Sequence, residues 1–403
     1  MSAVLSDVVV VELTHVLAGP YCAMMLGDLG AKVIKIERPG KGDESRQYGP
    51  PFAAGESAYY LGLNRNKYSV ELDFMQPEGK EQLLELLRTA TVMIANCRPG
   101  SLERKGLGYE DLHALNPGLI YCSISSYGQR GPRATEPGYD LIVQGEAGLM
   151  AVTGEVDGEP IPVGSSVVDV TAGMYACMSI LAALRERDRT GEGQYIHISL
   201  LESALTLLAN IASSYLISGE EAKRYGSAHP SAVPFQSFQT RDGHMNVVCG
   251  SDSLFERLCC TLGHEELAKD QRFVTNSQRV INRDELVLIL QECFLQRDTA
   301  DWLTHLRAAG VPCGPIKSVR EALQNPQLEA LDFIWECEHP VAGAIQLPGS
   351  PLHLSKTPPR LYKAPPLLGE DNAILTDTAL KLGKEGRTST NESYFSPKKM
   401  TEP

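Results

Sequence analysis

The fold is decided by residues 7–37, DVVVVELTHVLAGPYCAMMLGDLGAKVIKIE. The first seven residues are an apolar run typical of a buried strand, and AKVIKIE at 31–37 is a second run of this kind. Between them THVLAGP forms a turn, in which Gly19 and Pro20 suit the start of a helix through YCAMMLGDLG. This order predicts a βαβ unit, and βαβ units imply a parallel sheet.

The alternation of strands and helices continues beyond this unit. A helical pattern at 78–89 precedes the strand VMIANC at 92–97, and the short helix GYEDLHALN precedes the strand LIYCSISSYG at 119–128. We therefore predict an α/β fold with a doubly wound, Rossmann-like domain. Further along the chain, a hairpin turned at Asp242-Gly243 and a series of helices predict a smaller α+β domain.

The composition limits the possible partners and compartments. A net charge of −13 on 403 residues argues against a nucleic-acid surface. The ten cysteines are scattered without metal-ligand spacing, which is typical of free thiols in a reducing compartment. No apolar run looks long enough to span a bilayer, so no membrane partner is expected. The first strand begins at Val8 and leaves no room for a leader, so we expect a cytoplasmic protein, or a mitochondrial one if a presequence has been removed.

Asp169 stands out in VGSSVVDVTAGMY, residues 163–175, as a single carboxylate among small and apolar residues. The next acids along the chain are Glu159 and Glu186. A carboxylate in this setting is costly to desolvate unless it has a partner or a task. One such task is nucleophilic attack on an activated acyl group. The alternative is a structural Asp that caps the following helix.

Basic residues near the ends of predicted strands indicate an anionic ligand. Arg38, Arg98, Arg104 and Lys105 follow strands whose ends meet at one edge of a doubly wound sheet, and Arg binds phosphate through two oxygens. For any one of them, an ordinary solvated surface position is the alternative. THVLAGP together with Glu37 resembles a dinucleotide site, but the chain contains no GxGxxG.

Tyr139 and the histidines each have more than one interpretation. Tyr139 can donate a hydrogen bond to a developing oxyanion, or it can be a half-buried aromatic with a wet hydroxyl. His15 and His229 lie beside Gly/Pro turns without a second ligand at metal spacing, so no metal site is predicted.

Taken together, several segments resemble the family III CoA-transferases, a family that includes formyl-CoA and carnitine-CoA transferases and acyl-CoA racemases. The resemblance runs from about Val8 to Leu368. It is carried by ELTHVLAGPYCAMMLGDLGAKVIKIERPGKGDESR, LNRNKYSVELD, ANCRPGSLERKGLGYEDL, YCSISSYGQRGP, PGYDL and the Asp169 segment.

The resemblance implies that Asp169 is the catalytic nucleophile and carries a covalent intermediate. Tyr139 would be the second catalytic residue. CoA would be a substrate, with no permanently bound cofactor and no metal. The family's CoA-contact positions, with the neighbouring Lys105, fall on His15, Val16, Leu17, Ala18, Arg38, Leu72, Asp73, Phe74, Met75, Asn96, Cys97, Arg98, Arg104, Lys105, Pro137, Gly138, Tyr139 and Asp140.

Departures from the family pattern narrow the activity. Racemases of the family carry a catalytic His where this chain has Tyr139, so a transferase is favoured over a racemase. Formyl-CoA transferases carry Gln where this chain has Leu17 and a glycine-rich loop where it has CGSDS at 249–253, which argues against a formyl/oxalate pair. A non-catalytic CoA-binding homologue is a further alternative.

Within the family, GDESRQYGPPFAAGESAYYL and AAGVPCGPIKSV are similar to members that move CoA between dicarboxylates. We therefore expect transfer from an acyl-CoA, succinyl-CoA as first choice, to a short dicarboxylate such as glutarate. The second carboxylate of such a substrate needs a cation, and Arg46 and Arg65 are the candidates.

The resemblance also implies a domain plan and an assembly. The large CoA-binding domain would comprise 1–199, followed by a linker helix in 200–224 and the small domain at 225–330. Residues 331–403 would return to the large domain and end in a loose tail. The family forms a homodimer in which two ring-like chains interlock.

Overall fold

A computed structural model describes residues 3–376, so the tail predicted to be loose lies in part outside the described residues. The chain divides into two compact units. The first takes the described residues of Met1–Ala147, Gly164–Ala209 and Gln327–Pro403, and the second takes Gly148–Val163 and Asn210–Pro326. Residues 148–163, expected in the large domain, and residues 210–224, expected in the linker helix, both belong to the second unit.

The strands of the described residues have the following bounds. They are β1 (Val9–Leu13), β2 (Lys32–Glu37), β3 (Phe52–Ala53), β4 (Glu56–Ser57), β5 (Lys67–Glu71), β6 (Val92–Ala95), β7 (Ile120–Ser125), β8 (Tyr195–Ser199), β9 (Phe235–Gln239), β10 (His244–Val248), β11 (Cys313–Pro315), β12 (Ile334–His339) and β13 (Gly343–Pro348).

The helices of the described residues are interspersed with these strands. They are α1 (Ala18–Asp28), α2 (Ala58–Leu63), α3 (Pro77–Leu87), α4 (Tyr109–Leu115), α5 (Asp140–Glu146), α6 (Leu149–Val152), α7 (Val167–Thr190), α8 (Leu200–Leu207), α9 (Ala209–Ser218), α10 (Asp252–Leu262), α11 (Asn276–Ile281), α12 (Arg283–Phe294), α13 (Thr299–Ala308), α14 (Val319–Leu323) and α15 (Pro326–Ala330).

The first unit is built on a six-stranded sheet with the order β5-β2-β1-β6-β7-β8. Every neighbouring pair in it is parallel, so the predicted parallel α/β architecture is confirmed. The chain leaves β1 toward β2 and β5 and resumes at β6 on the other side of β1. Such a reversal leaves a crevice at the carboxyl ends of the two strands that flank it.

Both faces of this sheet are buried, as the continuous apolar runs of a parallel sheet require. On one face Val11, Ile34 and Met93 pack with the leucines of α3 and α4. On the opposite face Val10 and Val33 are buried, and α1 and α7 pack together and against the strands.

The second unit has its own antiparallel sheet, ordered β11-β10-β9. The predicted hairpin is present, and Thr240 N–H donates to Gly243 O across its turn at 2.9 Å. Phe238 and Met245 from the sheet pack with Phe255, Phe294 and Trp302 from the helices.

Two predictions about the helices are corrected. The single helix predicted over Leu200–Gly219 is two helices, α8 and α9, and the chain breaks where Ala209 takes a positive φ of 42°. The α7 helix, 24 residues long and apolar, satisfies the length and composition of a membrane span, contrary to the expectation that no run does. This is weak evidence for a membrane, because a core helix passes the same test and half of its most apolar window is buried.

Candidate active site

A cavity of about 250 Å³ lies at the carboxyl ends of β1, β6 and β7, at the reversal of strand order. The loop after β1, the loop after β6 and the residues that follow β7 each supply part of its wall. Its lining residues are His15, Val16, Leu17, Ala18, Glu44, Asn96, Cys97, Arg98, Pro99, Ile124, Ser125, Ser126, Glu136, Pro137, Gly138, Tyr139, Asp169 and Leu200.

Asp169 reaches this cavity from the first turn of α7, where it is the third helical residue. The helix N-cap is Ser166, so Asp169 does not serve as the capping residue itself. Burial, followed by the negative charge of Asp140, raises the pKa of Asp169 to about 7. A carboxylate that has lost much of its hydration in this way is a better nucleophile than one in water.

Asp140 fixes the start of α7 and is itself buried. Its carboxylate accepts hydrogen bonds from Gln144 Nε2 at 3.1 and 3.2 Å and from the backbone N–H of Val168. The N–H groups of a first helical turn have no partner within the helix, so this contact caps α7 one residue before Asp169. Asp140 thus lies behind the cavity wall rather than in it.

The side chains of Asn96 and Asp43 form hydrogen bonds with the backbone of the loop after β1. His15 N–H donates to Asn96 Oδ1 at 3.1 Å, and Asn96 Nδ2 donates to His15 O at 2.9 Å. Val16 N–H donates to Asp43 Oδ1 at 3.1 Å. Burial and the nearby Lys35 charge lower the pKa of His15, so its imidazole is neutral at pH 7.

Close packing brings α1 and α7 together beside the cavity. A Cβ added at Gly173 would come within 2.7 Å of Ala18 O, so glycine permits this approach. Gly173 lies four residues after Asp169 and therefore on the same face of α7. A Cβ at Gly19 would meet the Thr14 side chain at 2.4 Å, which explains the glycine of THVLAGP.

Tyr139 lies in the cavity wall with 63% of its surface exposed, as the residue before α5. A second phenol was missed by the sequence analysis. Burial, and then the charge of Asp169, raise the pKa of Tyr59, so its ring lies near the candidate nucleophile. Tyr59 is the second residue of α2, and a tyrosine at the start of a short helix carries no sequence signal of this role.

The structure brings together most of the residues that the sequence selects and leaves others at a distance from the cavity. Arg38 follows β2, and its charge acts on the pKa of both His15 and Cys97. Leu72 to Met75 follow β5 along the same edge of the sheet, where Leu72 N–H donates to Glu37 O at 2.8 Å. Arg104 and Lys105 lie in a 3₁₀ turn of the loop after β6. None of these residues lines the cavity.

Arg46 and Arg65 do not fit the role of substrate clamp that the sequence analysis gave them. Arg65 is 2% exposed and binds both oxygens of Asp28, at 2.9 and 2.7 Å. Arg46 binds both oxygens of Glu37, at 2.8 and 2.7 Å. Neither arginine lines the cavity. Each guanidinium is already satisfied by a buried carboxylate, and the same pairing removes Glu37 as a ribose acceptor.

The sequence analysis did not select several other residues that line the cavity. Ser125 and Ser126 follow directly from the rule that strand ends converge, because they lie where β7 ends. Glu44 and Leu200 come from distant parts of the chain, and no spacing rule predicts them. Within residues 3–376, no group of His, Cys, Asp and Glu could hold a metal ion.

Comparison with known proteins agrees with this geometry. The family model of CoA-transferase family III matches residues 5–372. A human succinyl-CoA:glutarate CoA-transferase is 42% identical over 94% of this chain and 86% of its own length. A succinate–glutarate CoA-transferase of Agrobacterium fabrum is 43% identical over 92% of this chain and 94% of its own.

A solved structure is also similar. The crystal structure of a CAIB/BAIF family protein from Brucella suis superimposes with a TM-score of 0.83 at 40% identity, and covers 93% of this chain and 99% of that one. Because the family model and the relatives span nearly the whole sequence, the chain belongs to CoA-transferase family III and is a CoA-transferase.

Proposed function

We propose that this enzyme moves CoA from succinyl-CoA to a short dicarboxylate such as glutarate, with Asp169 as the covalent carrier. The main support for this proposal is the environment of the Asp169 carboxylate. It is desolvated in a cavity at the reversal of strand order, and its pKa is raised to about 7. The named activities of the human and Agrobacterium relatives support the choice of substrates.

The reaction divides into steps that each exchange one acyl bond. The Asp169 carboxylate attacks the donor thioester carbonyl, expels CoA thiolate and forms a mixed anhydride. The thiolate then attacks the aspartyl carbonyl, which releases the donor as a free carboxylate and leaves an aspartyl thioester. The acceptor carboxylate attacks that thioester and expels the thiolate, giving a second anhydride. The thiolate finally attacks the acceptor's carbonyl, which yields the new acyl-CoA and restores Asp169.

The CoA molecule would extend from Asp169 along the carboxyl edge of the sheet. The thioester end would occupy the cavity with His15 to Ala18 and with Tyr139, whose phenol would donate a hydrogen bond to the oxyanion. Arg38 and Leu72 to Met75 follow β2 and β5, and β5 lies about 10 Å from β1 because neighbouring strands are about 4.8 Å apart. Arg38 and Arg98 are exposed and would bind phosphate groups.

We also infer that the enzyme is a homodimer, in the interlocked form that the family resemblance implies. The support is an apolar surface on the first unit formed by Met174, Met178, Leu181, Leu205 and Leu207 of α7 and α8, all exposed. The first three recur at the spacing of one helix face. Tyr175 and Thr206 join the two helices through a 3.0 Å hydrogen bond. A cluster of exposed apolar side chains of this kind is typical of an interface.

The covalent step is tested by mass spectrometry of the protein after incubation with succinyl-CoA. Hydroxylamine should displace CoA or the donor carboxylate from the activated Asp169 carbonyl and leave a hydroxamate, and borohydride should reduce the aspartyl thioester to an alcohol with release of CoA. Asp169→Asn, which keeps the shape and removes the nucleophile, should show neither product and no transfer of label from succinyl-CoA to glutarate. Transfer at the wild-type rate by Asp169→Asn would contradict the proposal.

A further inference from the structure

Four charged side chains form a buried cluster beneath the cavity. Glu12, Lys35 and Lys67 have no exposed surface, and Asp43 is 1% exposed. Lys35 Nζ lies 3.0 Å from Glu12 Oε1 and 2.8 Å from Asp43 Oδ2, and Lys67 Nζ lies 3.0 Å from Glu12 Oε2. Two positive and two negative charges balance, so the cluster is neutral when all four are ionised.

Stability alone does not explain this cluster. Desolvating ions costs about as much as their attraction returns, and a buried ion pair is often no more stabilising than apolar residues of the same volume. Burial by itself would raise the pKa of Asp43, but the Lys35 charge holds it well below its usual range. Burial lowers the pKa of Lys67 to about 8. A core of Val and Leu would avoid these costs.

The Lys35–Asp43 pair also reaches the backbone of the loop after β1. Lys35 Nζ donates to Thr14 O at 2.9 Å, and Asp43 Oδ1 accepts from Val16 N–H at 3.1 Å. Asn96 binds both backbone groups of His15 between them. Thr14, His15 and Val16 therefore each have a backbone group that is hydrogen-bonded to a side chain distant in the sequence.

Val16 needs this restraint because its backbone is strained. Its φ is 67°, in the left-handed region that a β-branched residue rarely adopts. Such a conformation persists where the surroundings over-determine it, and it is found mostly at functional sites. Leu17 and Ala18 follow directly, line the cavity and begin α1, which packs against Gly173 one turn after Asp169.

We propose that Lys35 and Asp43 are positioning residues, which hold Thr14 and Val16 so that the wall formed by Val16 to Ala18 keeps its distance from Asp169. Neither side chain touches the cavity, and both act through the loop backbone. The consequence for catalysis rests on the proposed role of Asp169, whereas the restraint on the loop does not.

Two double variants separate the restraint from the charge. Lys35→Met with Asp43→Asn removes the ion pair but keeps an oxygen that can accept from Val16 N–H. Lys35→Met with Asp43→Leu removes the pair and the acceptor of both Val16 N–H and Ser45 N–H, with a side chain of similar shape. Both leave Glu12 and Lys67 as a neutral pair. Asp28→Asn is the control, because it breaks another buried pair, with Arg65, that does not touch the loop.

The first readout is hydrogen–deuterium exchange of segment 13–18 in the full-length protein, measured by mass spectrometry. The Asp43→Leu double variant should exchange this segment faster than the Asp43→Asn double variant, and Asp28→Asn should match wild type. Equal exchange in both double variants and the wild type would overturn the proposal and leave the pair with a structural role only.

The second readout is kcat/KM for succinyl-CoA at a temperature where circular dichroism shows every variant folded. A displaced reacting group costs about 100-fold, so the Asp43→Leu double variant should lose about that much and the Asp43→Asn double variant clearly less. An equal loss in all three variants, with Asp28→Asn included, would indicate general destabilisation and overturn the proposal. No transfer by the wild type, with the expected exchange pattern, would refute the proposed function and leave the positioning of the loop intact.

Discussion

At the scale of single residues, the ionisation of Asp169 controls the pH dependence of the reaction. Only its carboxylate form is nucleophilic, and burial together with Asp140 holds its pKa at about 7. We predict that kcat/KM for succinyl-CoA rises about tenfold per pH unit below pH 7 and levels off above it. Initial rates between pH 5 and 9 measure this profile.

Two variants, each with one carboxylate neutralised, test the cause of that profile. Asp140→Asn keeps an acceptor for Val168 N–H and removes a negative charge, so the midpoint should move to lower pH. Glu186→Gln changes a charge on the same helix about 25 Å from Asp169, at 1.5 Å per residue, and should leave the midpoint unchanged. A profile that is flat from pH 5 to 9 would refute this assignment.

Asp169 should also make the protein less stable as the pH rises. Its pKa is near 3.8 in the unfolded chain and about 7 in the folded protein. The folded state therefore binds the proton more tightly, and the stabilisation by that proton is complete below pH 3.8 and lost by about pH 7. The melting temperature of Asp169→Asn minus that of wild type should grow from pH 5 to 7 and stay constant above. A difference that does not change over this range would contradict the raised pKa.

Sequence analysis can identify a residue whose role follows from its own chemistry. It cannot identify a role that depends on which other side chain the residue contacts in the fold. Asp169 could be singled out because no other acid lies between Glu159 and Glu186. Arg65 looked free because its partner Asp28 is 37 positions away along the chain. A one-dimensional pattern carries no information about which carboxylate a guanidinium meets.

At the scale of helices and strands, the apolar runs were sufficient to predict the parallel sheet. Continuous runs such as VVVVEL fit strands buried on both faces, and β1, α1 and β2 lie where residues 7–37 predict them. The same reasoning joined α8 and α9 into one helix, since neither Gly nor Pro separates them. The break instead falls at Ala209, whose positive φ of 42° leaves no mark in the composition.

The contact between α1 and α7 gives a prediction for Gly173. A Cβ there would lie 2.7 Å from Ala18 O, so Gly173→Ala must push the two helices apart beside Asp169. Overpacking of this kind costs about 1–3 kcal/mol of unfolding free energy, and we expect a loss of kcat as well. Thermal melting and initial rates measure the two effects.

Gly62→Ala is the matched control for this substitution. Gly62 lies in α2, and a Cβ added there meets nothing within 4 Å. Ala in a helix interior stabilises by roughly 0.5–1 kcal/mol relative to Gly, so this variant should melt slightly higher and transfer CoA normally. If Gly173→Ala had the same melting temperature and transfer rate as Gly62→Ala, the close approach of α1 and α7 would not be required for stability or for transfer.

At the scale of the whole molecule, strand order explains why residues from distant segments share one cavity. The chain reverses between β1 and β6, so residues near 15, 97 and 125 meet at the same edge of the sheet. The sequence predicts this edge through the general rule for doubly wound folds. It does not predict the charged layer beneath it, because Glu12 and Lys35 occur inside runs that otherwise indicate an apolar core.

The proposed assembly gives a last prediction, which distinguishes an interlocked dimer from one that is merely docked. Light scattering should give twice the mass of one chain, because the exposed apolar side chains on α7 and α8 favour association. A docked dimer releases its subunits on dilution, whereas threaded chains separate only if one of them unfolds. Two differently tagged preparations, mixed at nanomolar concentration, should therefore form no mixed dimers within hours.

Substitution within the apolar surface completes this test. Met178 is 57% exposed, and a charge there would be desolvated in the dimer without a partner, so Met178→Glu should lower the yield of dimer during expression. Glu186→Gln, at the exposed end of the same helix, should assemble normally. Rapid formation of mixed dimers would show a docked assembly, and a monomeric wild-type enzyme with full activity would show that one chain carries the whole site.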